Sequence, residues 1–263
     1  MTVRRVAIVA HPDKPGVAQL HEELTDELAR HGIDVASGDP DLVVSLGGDG
    51  TMLRAAHMAH SSDALLLGVN RGRLGYLTEV EGGSERGALE RILRDDYVVE
   101  ERMMLACKVA DERDQEGLVG LNEVLVEREA RYRVIRLRVR VGGESLGAFN
   151  ADGVIVATPT GSTAYALSAG GPIVSPRASC IVLVPVSPHM LFSRPFVLAP
   201  DEVVEIVLES PDEASLSLDG GSAGDLHEGD CITVRRHPRP LKLVRLSGPG
   251  FVERLRAKLQ LPG

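Results

Sequence analysis

Tryptophan is absent from this sequence of 263 residues, which contains only four Phe and four Tyr. So few aromatic rings argue against a protein that binds single-stranded nucleic acid by stacking. The formal net charge of −9 argues against broad attraction to nucleic acid phosphates. We therefore expect no nucleic acid partner, and an anionic ligand needs a local positive site.

Long apolar runs are also missing. The longest lie at about 64–69 and 180–186, far short of the ~18 to 20 residues that a membrane-spanning helix requires. The apolar run at 6–10 stops at His11-Pro12 and is too short for the core of a secretory signal. The three cysteines lack CxxC spacing, so they predict neither a disulfide framework nor a zinc site. We expect a cytoplasmic protein with reduced cysteines and no membrane partner.

The first hundred residues alternate predicted strands with predicted helices. Short buried strands are expected at 6–9, 42–46 and 65–69, and leucines recur at helical spacing over 20–28. This alternation favours a parallel sheet with both faces covered.

From about residue 101 the pattern changes to a period of two. Apolar and charged residues alternate over 134–141 and 204–208, and Gly142-Gly143 supplies a tight hairpin turn. Further strands are expected at 154–157, 181–186 and 232–235. This region is therefore predicted to be mostly β.

Helical spacing returns near the end of the sequence. Val252, Leu255 and Leu259 predict a terminal helix that packs on the first region. We therefore predict an α/β domain of residues 1–100 with 247–263, followed by a β-rich domain of residues 101–246.

A glycine-rich turn follows the strand predicted at 42–46. It is neither a P-loop nor a dinucleotide G-x-G-x-x-G fingerprint, because no Gly-Lys pair occurs and Leu53 replaces the third glycine. The glycines of Gly47-Gly48-Asp49-Gly50-Thr51 instead allow backbone N–H groups to approach a phosphate at the start of a helix. Asp49 would repel that phosphate unless it binds metal, hydrogen-bonds a hydroxyl or removes a proton. The alternative is a turn aspartate that caps the helix.

Hydroxyl groups are concentrated in residues 152–172, which include Thr-Pro-Thr-Gly-Ser-Thr-Ala-Tyr at 158–165. A predicted strand leads into this run, Ser162 or Thr163 can start a short helix, and Gly170-Gly171-Pro172 must end it. Hydroxyls among small residues suit a polyhydroxylated ligand in close contact with backbone. The alternative is a surface loop rich in Ser and Thr.

Two further positions are unusual for strands. Asn122 and Glu123 begin an apolar run although both residue types are depleted in strands. A ribose diol would suit the pair, and a turn at a strand edge is the alternative. Arg133 shares the parity of the apolar residues in the strand predicted at 134–141. It lies either at a fraying strand end or beside an anion.

These motifs resemble those of the bacterial ATP-dependent NAD kinases, in the usual order and spacing. The match covers nearly the whole chain and comprises 47–51, Leu-Gly-Tyr-Leu at 74–77, Leu-Asn-Glu-Val at 121–124, 152–172, Pro188-His189, Ser193-Arg194-Pro195, Asp219-Gly220 and 255–259. Gly-Gly-Asp-Gly alone is weak evidence, because diacylglycerol and sphingosine lipid kinases also carry it. The run at 158–165 is highly specific.

The resemblance implies phosphorylation of the 2′-hydroxyl of the adenosine ribose of NAD by ATP to give NADP. It implies a phosphofructokinase-like parallel sheet in the α/β domain, an NAD-binding β domain, and a homodimer or homotetramer in which a neighbouring subunit completes the site. Magnesium is expected to arrive with ATP, with no metal cage built by the protein.

Site residues also follow from the resemblance. Asp49 corresponds to the proton acceptor, Asn122 and Glu123 to the ribose-binding pair, and Asp152 would hold the nicotinamide half. The remaining expected contacts of the nucleotides are Gly50, Arg54, Tyr76, Arg133, Asn150, Thr160, Thr163, Ala164, Tyr165, Ala166, Leu167, Ser168 and Gly221.

Three positions depart from the family pattern. Asn150 replaces a frequent arginine, which affects the preference for NAD over NADH. Gly221 replaces a frequent glutamine and removes one amide contact. Gln260 replaces a frequent terminal aromatic, which concerns packing.

Two alternative functions remain open from the sequence. A lipid kinase of the diacylglycerol type would use the glycine turn and the two-domain layout alone. A non-catalytic NAD-binding regulator would keep the fold, although Asp49 argues against it. The sequence does not distinguish ATP from inorganic polyphosphate as donor.

Overall fold

The computed structural model describes residues 3–11, 15–35, 38–70, 75–110, 117–130, 132–189 and 193–261. The chain forms two compact units, Met1–Arg102 with Leu241–Gly263 and Met103–Pro240.

Nineteen strands and five α-helices occur in the described residues. The strands are β1 (Arg5–Ala10), β2 (Asp34–Val35), β3 (Leu42–Leu46), β4 (Leu65–Asn70), β5 (Val80–Glu81), β6 (Val98–Arg102), β7 (Leu105–Val109), β8 (Leu118–Gly120), β9 (Glu123–Arg128), β10 (Ile135–Val141), β11 (Glu144–Ala151), β12 (Gly153–Ala157), β13 (Ile181–Val186), β14 (Phe196–Leu198), β15 (Val204–Leu208), β16 (Ala214–Leu218), β17 (Gly221–Leu226), β18 (Cys231–Arg236) and β19 (Leu241–Arg245). The helices are α1 (Val17–Arg30), α2 (Asp49–Ser61), α3 (Glu85–Leu93), α4 (Tyr165–Ser168) and α5 (Phe251–Leu259).

The first unit is an α/β domain around one sheet of order β2-β1-β3-β4-β19-β6, with β5 beside β4. All its strand pairs are parallel except β19 with β6. Every residue of β3 and β4 is buried, as a parallel strand covered on both faces requires. The predicted strand and helix alternation is confirmed.

The division of the chain differs from the predicted one at β19. Residues 241–246 were assigned to the β-rich domain, yet β19 runs parallel to β4 inside the first sheet. An apolar strand has the same sequence pattern in either sheet, because local periodicity does not specify which strand it pairs with. The predicted boundary near residue 100 likewise divides β6.

The terminal helix α5 belongs to the first unit, as predicted, but it packs through a different face. Val252 is 65% exposed and Leu259 is 38% exposed. The buried residue of α5 is Arg254, which is 4% exposed. Apolar spacing therefore located the helix and misidentified its inner face.

The second unit contains two six-stranded antiparallel sheets, of order β11-β10-β15-β18-β7-β8 and β14-β13-β12-β9-β16-β17. Side chains from both sheets form one apolar core. The predicted hairpin is confirmed, because Gly142 and Gly143 have φ of 56° and 85° and join paired residues Val141 and Glu144. These two positive φ values are those of a type I′ turn.

The cysteines are free, with Cys107 and Cys180 buried and Cys231 partly buried. No helix of the described residues has the length and apolar character needed to cross a membrane.

Candidate active site

The glycine turn of the first unit joins β3 to α2. The N–H of Gly47 donates to the carbonyl of Val69 at 2.9 Å. A β-carbon built on Gly47 would lie 2.3 Å from Oγ1 of Thr51, so a side chain there would collide with the first turn of α2. Gly48 is extended, with φ −97° and ψ −168°, and occupies the N-cap position. The turn therefore directs the N-terminus of α2 to the end of the sheet, where backbone N–H groups are available to an anion.

Asp49 is the first residue of α2 and is partly buried. Its Oδ1 is buried and accepts no hydrogen bond from any residue that the structure describes. The N-cap position belongs to Gly48, and no side chain caps the helix there. The geometry therefore disfavours the capping alternative and leaves an unbonded carboxylate oxygen beside a helix N-terminus.

The carboxylate of Asp49 lies against Gly75 and near Tyr76. A β-carbon built on Gly75 would lie 2.1 Å from Oδ1 of Asp49, so only glycine leaves room for this carboxylate. Burial and the charge of Asp49 raise the pKa of Tyr76, which keeps the phenol protonated. The Nζ of Lys258 lies 5.9 Å from the centre of the Tyr76 ring. Of these groups, the sequence singled out Asp49 and Tyr76 and missed the wall formed by Gly75.

Arg54 lies on α2, and its Nη2 donates to the carbonyl of Ala10 at 3.1 Å. Its side chain is exposed, as is Gly50. Both predicted nucleotide contacts are therefore accessible in the first unit.

The hydroxyl-rich run of the second unit is joined to the segment before β9. Oγ1 of Thr158 donates to the carbonyl of Leu121 at 2.6 Å and accepts from the N–H of Gly161 at 3.0 Å. The N–H of Thr158 donates to the carbonyl of Asn122 at 2.8 Å. The structure thus brings the predicted ribose-binding pair and the predicted dinucleotide turn together.

Several hydroxyls of this run are used inside the protein. Oγ of Ser162 donates to the carbonyl of Pro159 at 2.7 Å and accepts from the N–H of Val174 at 3.0 Å. Oγ1 of Thr163 donates to the carbonyl of Thr160 at 3.2 Å. These bonds shape the turn, so fewer hydroxyls face outward than the sequence suggested.

A single 3₁₀ turn (Gly161–Thr163) and α4 follow, as the sequence predicted, and the N–H of Gly171 closes on the carbonyl of Ala166 at 2.8 Å. Tyr165 and Ser168 are exposed, and Ala164 and Leu167 are partly buried. The side chain of Ala166 is fully buried in an apolar cluster. A ligand contact at this position is therefore restricted to the backbone.

Asp219 holds the backbone of residues 121–123, which include the predicted ribose-binding pair. Asp219 and Gly220 form the two-residue turn between β16 and β17, with φ of 52° and 78°. The Asp219 carboxylate accepts the N–H groups of Leu121 at 2.7 Å, Asn122 at 2.7 Å and Glu123 at 3.2 Å. No role was predicted for Asp219, although Asp219-Gly220 is a sequence signal for a hairpin turn. Gly221 follows at the exposed start of β17.

Glu123 is 7% exposed, and its Oε2 is buried without a hydrogen-bond partner among the described residues. Burial and the nearby charge of Asp219 raise its pKa to about 7. A carboxyl with an unused oxygen and a pKa near neutrality is suited to a ligand hydroxyl.

Asp152 and Asn150 lie at the other end of β12 from this site. About 20 Å of strand separates Asp152 from Thr158, at roughly 3.3 Å per residue. Asp152 accepts from Nε of Arg128 at 2.5 Å, and this hydrogen bond lowers the pKa of Asp152. Asn150 is exposed, and its carbonyl accepts the N–H of His189 at 2.7 Å. Within one chain, these two residues and the ribose-binding pair form separate groups.

Arg133 lies just before β10, which begins at Ile135, so it stands at a strand end, which was one of its two predicted settings. Its side chain is 71% exposed and its Nη1 donates to Asp212 at 2.8 Å. The structure thus provides a protein anion for Arg133 at a strand end.

Comparisons with known proteins identify the family of the two domains. Residues 34–97 match the ATP-NAD kinase N-terminal domain and residues 121–246 match the ATP-NAD kinase C-terminal domain. NAD kinase 1 of Streptomyces coelicolor is 37% identical over 99% of this chain and 87% of its own length. The NAD kinase of Heliobacterium modesticaldum is 39% identical over 97% of this chain and 98% of its own length.

Two solved structures share the fold. Yeast NADH kinase complexed with NADH superposes with a TM-score of 0.85 at 25% identity, over 100% of this chain and 89% of that one. An NAD kinase from Archaeoglobus fulgidus in complex with ATP superposes with a TM-score of 0.78 at 27% identity. The match covers 98% of this chain and 100% of that one.

A two-domain nucleotide kinase is the class that these domains and the glycine turn define. The chain belongs to the ATP-NAD kinase family. The lipid kinase and regulator alternatives receive no support from these comparisons.

Proposed function

We propose that this protein transfers the γ-phosphate of ATP to the 2′-hydroxyl of the adenosine ribose of NAD and produces NADP. Family membership supports the reaction. The observation that carries the catalytic assignment is Oδ1 of Asp49, which is buried beside the N-terminus of α2 and has no hydrogen-bond partner among the described residues. A ribose hydroxyl is a poor nucleophile, and a positioned carboxylate accepts its proton as the phosphorus–oxygen bond forms.

The phosphates of the donor bind the N-terminal end of α2 in this proposal. The turn at Gly47 and Gly48 leaves backbone N–H groups accessible there, and the helix dipole favours an anion. Arg54 is on the same helix with an exposed guanidinium and adds positive charge. Tyr76, with its raised pKa, offers a neutral phenol beside Asp49.

Asn122 and Glu123 bind the adenosine ribose in this proposal, and Asp219 orients them through the backbone. Glu123 is buried with a free oxygen and accepts from a ribose hydroxyl when ionised. Thr163, Ala164, Tyr165, Leu167 and Ser168 provide the adjoining surface for the dinucleotide, to which the buried residues Thr160 and Ala166 contribute backbone only.

Magnesium is proposed to enter as its complex with ATP. Among the described residues, no three His, Cys, Asp or Glu side chains form a metal-binding group. Magnesium binds phosphate oxygens and keeps several waters, so it can accompany ATP without a metal cage built by the protein. When bound, the ion neutralises charge on the transferred phosphoryl group.

A homodimer or homotetramer is proposed as the active form. Asp152 and Asn150 lie at the other end of β12 from the predicted ribose-binding pair of their own chain, and Arg133 lies just before β10 of the other sheet. A neighbouring subunit is the proposed source of these contacts. Gly221 offers no side chain to the ligand. The cytoplasmic location remains a prediction.

The direct test incubates the full chain with ATP, magnesium and NAD and measures NADP with an NADP-specific dehydrogenase. Parallel reactions replace ATP with polyphosphate, NAD with NADH, or NAD with diacylglycerol vesicles. We expect NADP when NAD and a phosphoryl donor are both present, and NADPH when NADH replaces NAD. Phosphorylated lipid without NADP would overturn the proposal.

A further inference from the structure

Arg254 is a buried cation that the catalytic proposal leaves without a role. It is 4% exposed on α5, and its guanidinium donates to three backbone carbonyls. Nε donates to the carbonyl of Pro249 at 2.8 Å, and Nη1 donates to the carbonyl of Gly75 at 3.2 Å and to that of Thr78. Because Arg254 binds two carbonyls of the turn at 75–78 and one just before its own helix, it holds the backbone of that turn against α5.

Glu79 provides the counter-charge. Nη2 of Arg254 donates to Oε2 of Glu79 at 2.8 Å, and both side chains are almost fully buried. Oε1 of Glu79 accepts the N–H groups of Leu246 at 2.8 Å and Gly248 at 2.9 Å. Arg245 donates to Oε2 of the same carboxylate at 2.9 Å and pairs with Glu100 at 2.8 Å. Glu79 therefore compensates the buried charge of Arg254. The same carboxylate also binds the end of β19 and the segment that leads into α5.

The segment that Arg254 holds borders Asp49. The N–H of Gly75 donates to Oγ1 of Thr78 at 2.9 Å, which closes the turn whose two carbonyls bind Arg254. Gly75 is the residue whose missing β-carbon leaves space for Oδ1 of Asp49. Thr78 packs closely on the sheet, because a β-carbon on Gly68 would lie 2.9 Å from its Cα. The turn at 75–78 therefore contacts β4 through Thr78 and Arg254 through two carbonyls. Its first residue, Gly75, contacts the Asp49 carboxylate.

We propose that Arg254 is a positioning residue for phosphoryl transfer: by binding the carbonyls of Gly75 and Thr78, it fixes the backbone wall that sets the position of the Asp49 carboxylate. The inference rests on the proposed role of Asp49 as proton acceptor. Arg254 itself contacts no substrate in this scheme. Arg254 affects the reaction only through the turn at 75–78, which contacts the Asp49 carboxylate.

Arg245 gives a matched control within the same ion network. It also donates to Oε2 of Glu79, but in the described residues it makes no hydrogen bond to the turn at 75–78. Arg254→Lys keeps the charge beside Glu79 and loses the fork that reaches Gly75, Thr78 and Pro249 together. Arg245→Lys makes the same chemical change at the neighbouring position. Arg254→Met and Arg245→Met extend the comparison to loss of the charge.

The experiment measures kcat and KM for NAD and ATP, together with the free energy of unfolding, for all four full-length variants. We expect Arg254→Lys to lower kcat by about 10²-fold with smaller changes in KM, since misplacement of a reacting group by ~1 Å has effects of this size. Arg245→Lys should keep kcat near the unsubstituted value at a similar loss of stability. If Arg254→Met fails to fold, the two lysine variants decide the comparison. Equal kcat losses in the Arg254 and Arg245 variants would overturn the proposal.

A double variant separates this inference from the proposed function. In the Asp49→Asn background, Arg254→Lys should lower kcat far less than it does alone, because residues that act as one unit are not additive. Additive losses would reject Arg254 as a positioning residue and leave Asp49 in its role. Normal turnover of Asp49→Asn alone would instead reject the proposed base.

Discussion

Gly161 lies so close to Asn122 that a β-carbon built on it would be 2.0 Å from the Asn122 carbonyl oxygen and 2.7 Å from its Cα. Backbone cannot yield as a flexible side chain can, so this contact fixes the hydroxyl-rich turn against the ribose-binding pair. The same carbonyl accepts the N–H of Thr158 at 2.8 Å. Position 161 of the Thr-Gly-Ser motif therefore requires glycine for a steric reason.

Gly161→Ala should displace the turn from Asn122. We expect a stability loss of about 1–3 kcal/mol from overpacking, and a rise in KM for NAD of about tenfold from displaced binding groups. Urea unfolding and steady-state kinetics measure the two effects.

Gly87→Ala is the control for Gly161→Ala. Gly87 lies in α3, and a β-carbon built there meets nothing within 4 Å. This substitution should stabilise the helix by up to about 1 kcal/mol and leave KM unchanged. The proposed contact would be refuted if Gly161→Ala behaved like Gly87→Ala.

Asn150→Arg should change the discrimination between NAD and NADH. The two cofactors differ by one positive charge on the nicotinamide ring, and an added guanidinium disfavours the charged ring. At ~4 Å in water this interaction is worth about 1 kcal/mol, so the ratio of kcat/KM for NAD to that for NADH should fall about fivefold. Kinetics with both cofactors provide the measurement.

Ser145→Arg adds the same charge at an exposed position near the other end of β11 and serves as control. It should leave the NAD to NADH ratio unchanged. A ratio that does not move in Asn150→Arg would remove Asn150 from the nicotinamide site.

Much of the fold could be read from local patterns. The period of two located β15 at its observed bounds, a continuous apolar run located β13, and Gly142-Gly143 located a hairpin. The strand that a given strand pairs with cannot be predicted in this way, because pairing depends on long-range packing. The pattern of β19 therefore could not reveal that it crosses into the first sheet.

Site residues divide in a similar way. Asp49, Asn122 and Glu123 were found because polar residues stand out in apolar or glycine-rich runs. Asp219 and Arg254 act on segments 96 and 179 residues away in sequence. Such partners leave no local signal, and an arginine on a helix is ordinarily read as a solvent-exposed residue.

Glu123 should make stability depend on pH. Its pKa rises from 4.5 to about 7 on folding, so the folded state binds the proton more tightly than the unfolded state. The resulting stabilisation is complete below about pH 4.5 and is lost as the pH rises to about 7. The shift corresponds to a few kcal/mol, at about 1.4 kcal/mol for each pKa unit.

Urea unfolding between pH 4.5 and 8 measures this dependence. Glu123→Gln has no titrating group at this position, so its stability relative to the unsubstituted protein should rise across the same window. Parallel pH profiles for the two proteins would contradict a raised pKa of Glu123.

Asp49→Asn should abolish most turnover and leave NAD binding largely intact. The substitution keeps the size of the side chain between Gly75 and the start of α2, yet it removes the group that accepts the 2′-hydroxyl proton. A positioned general base contributes ~10²- to 10⁴-fold in rate, or roughly 3 to 5 kcal/mol.

Loss of a helix cap would instead cost about 1 kcal/mol of stability and spare the chemistry. Thermal unfolding, NAD affinity and kcat measured on the same Asp49→Asn preparation therefore separate the two roles. Because Oδ1 of Asp49 has no hydrogen-bond partner among the described residues, removal of its charge should change stability little. If the variant keeps more than about a tenth of kcat, a loss below the general-base range, Asp49 is not the proton acceptor.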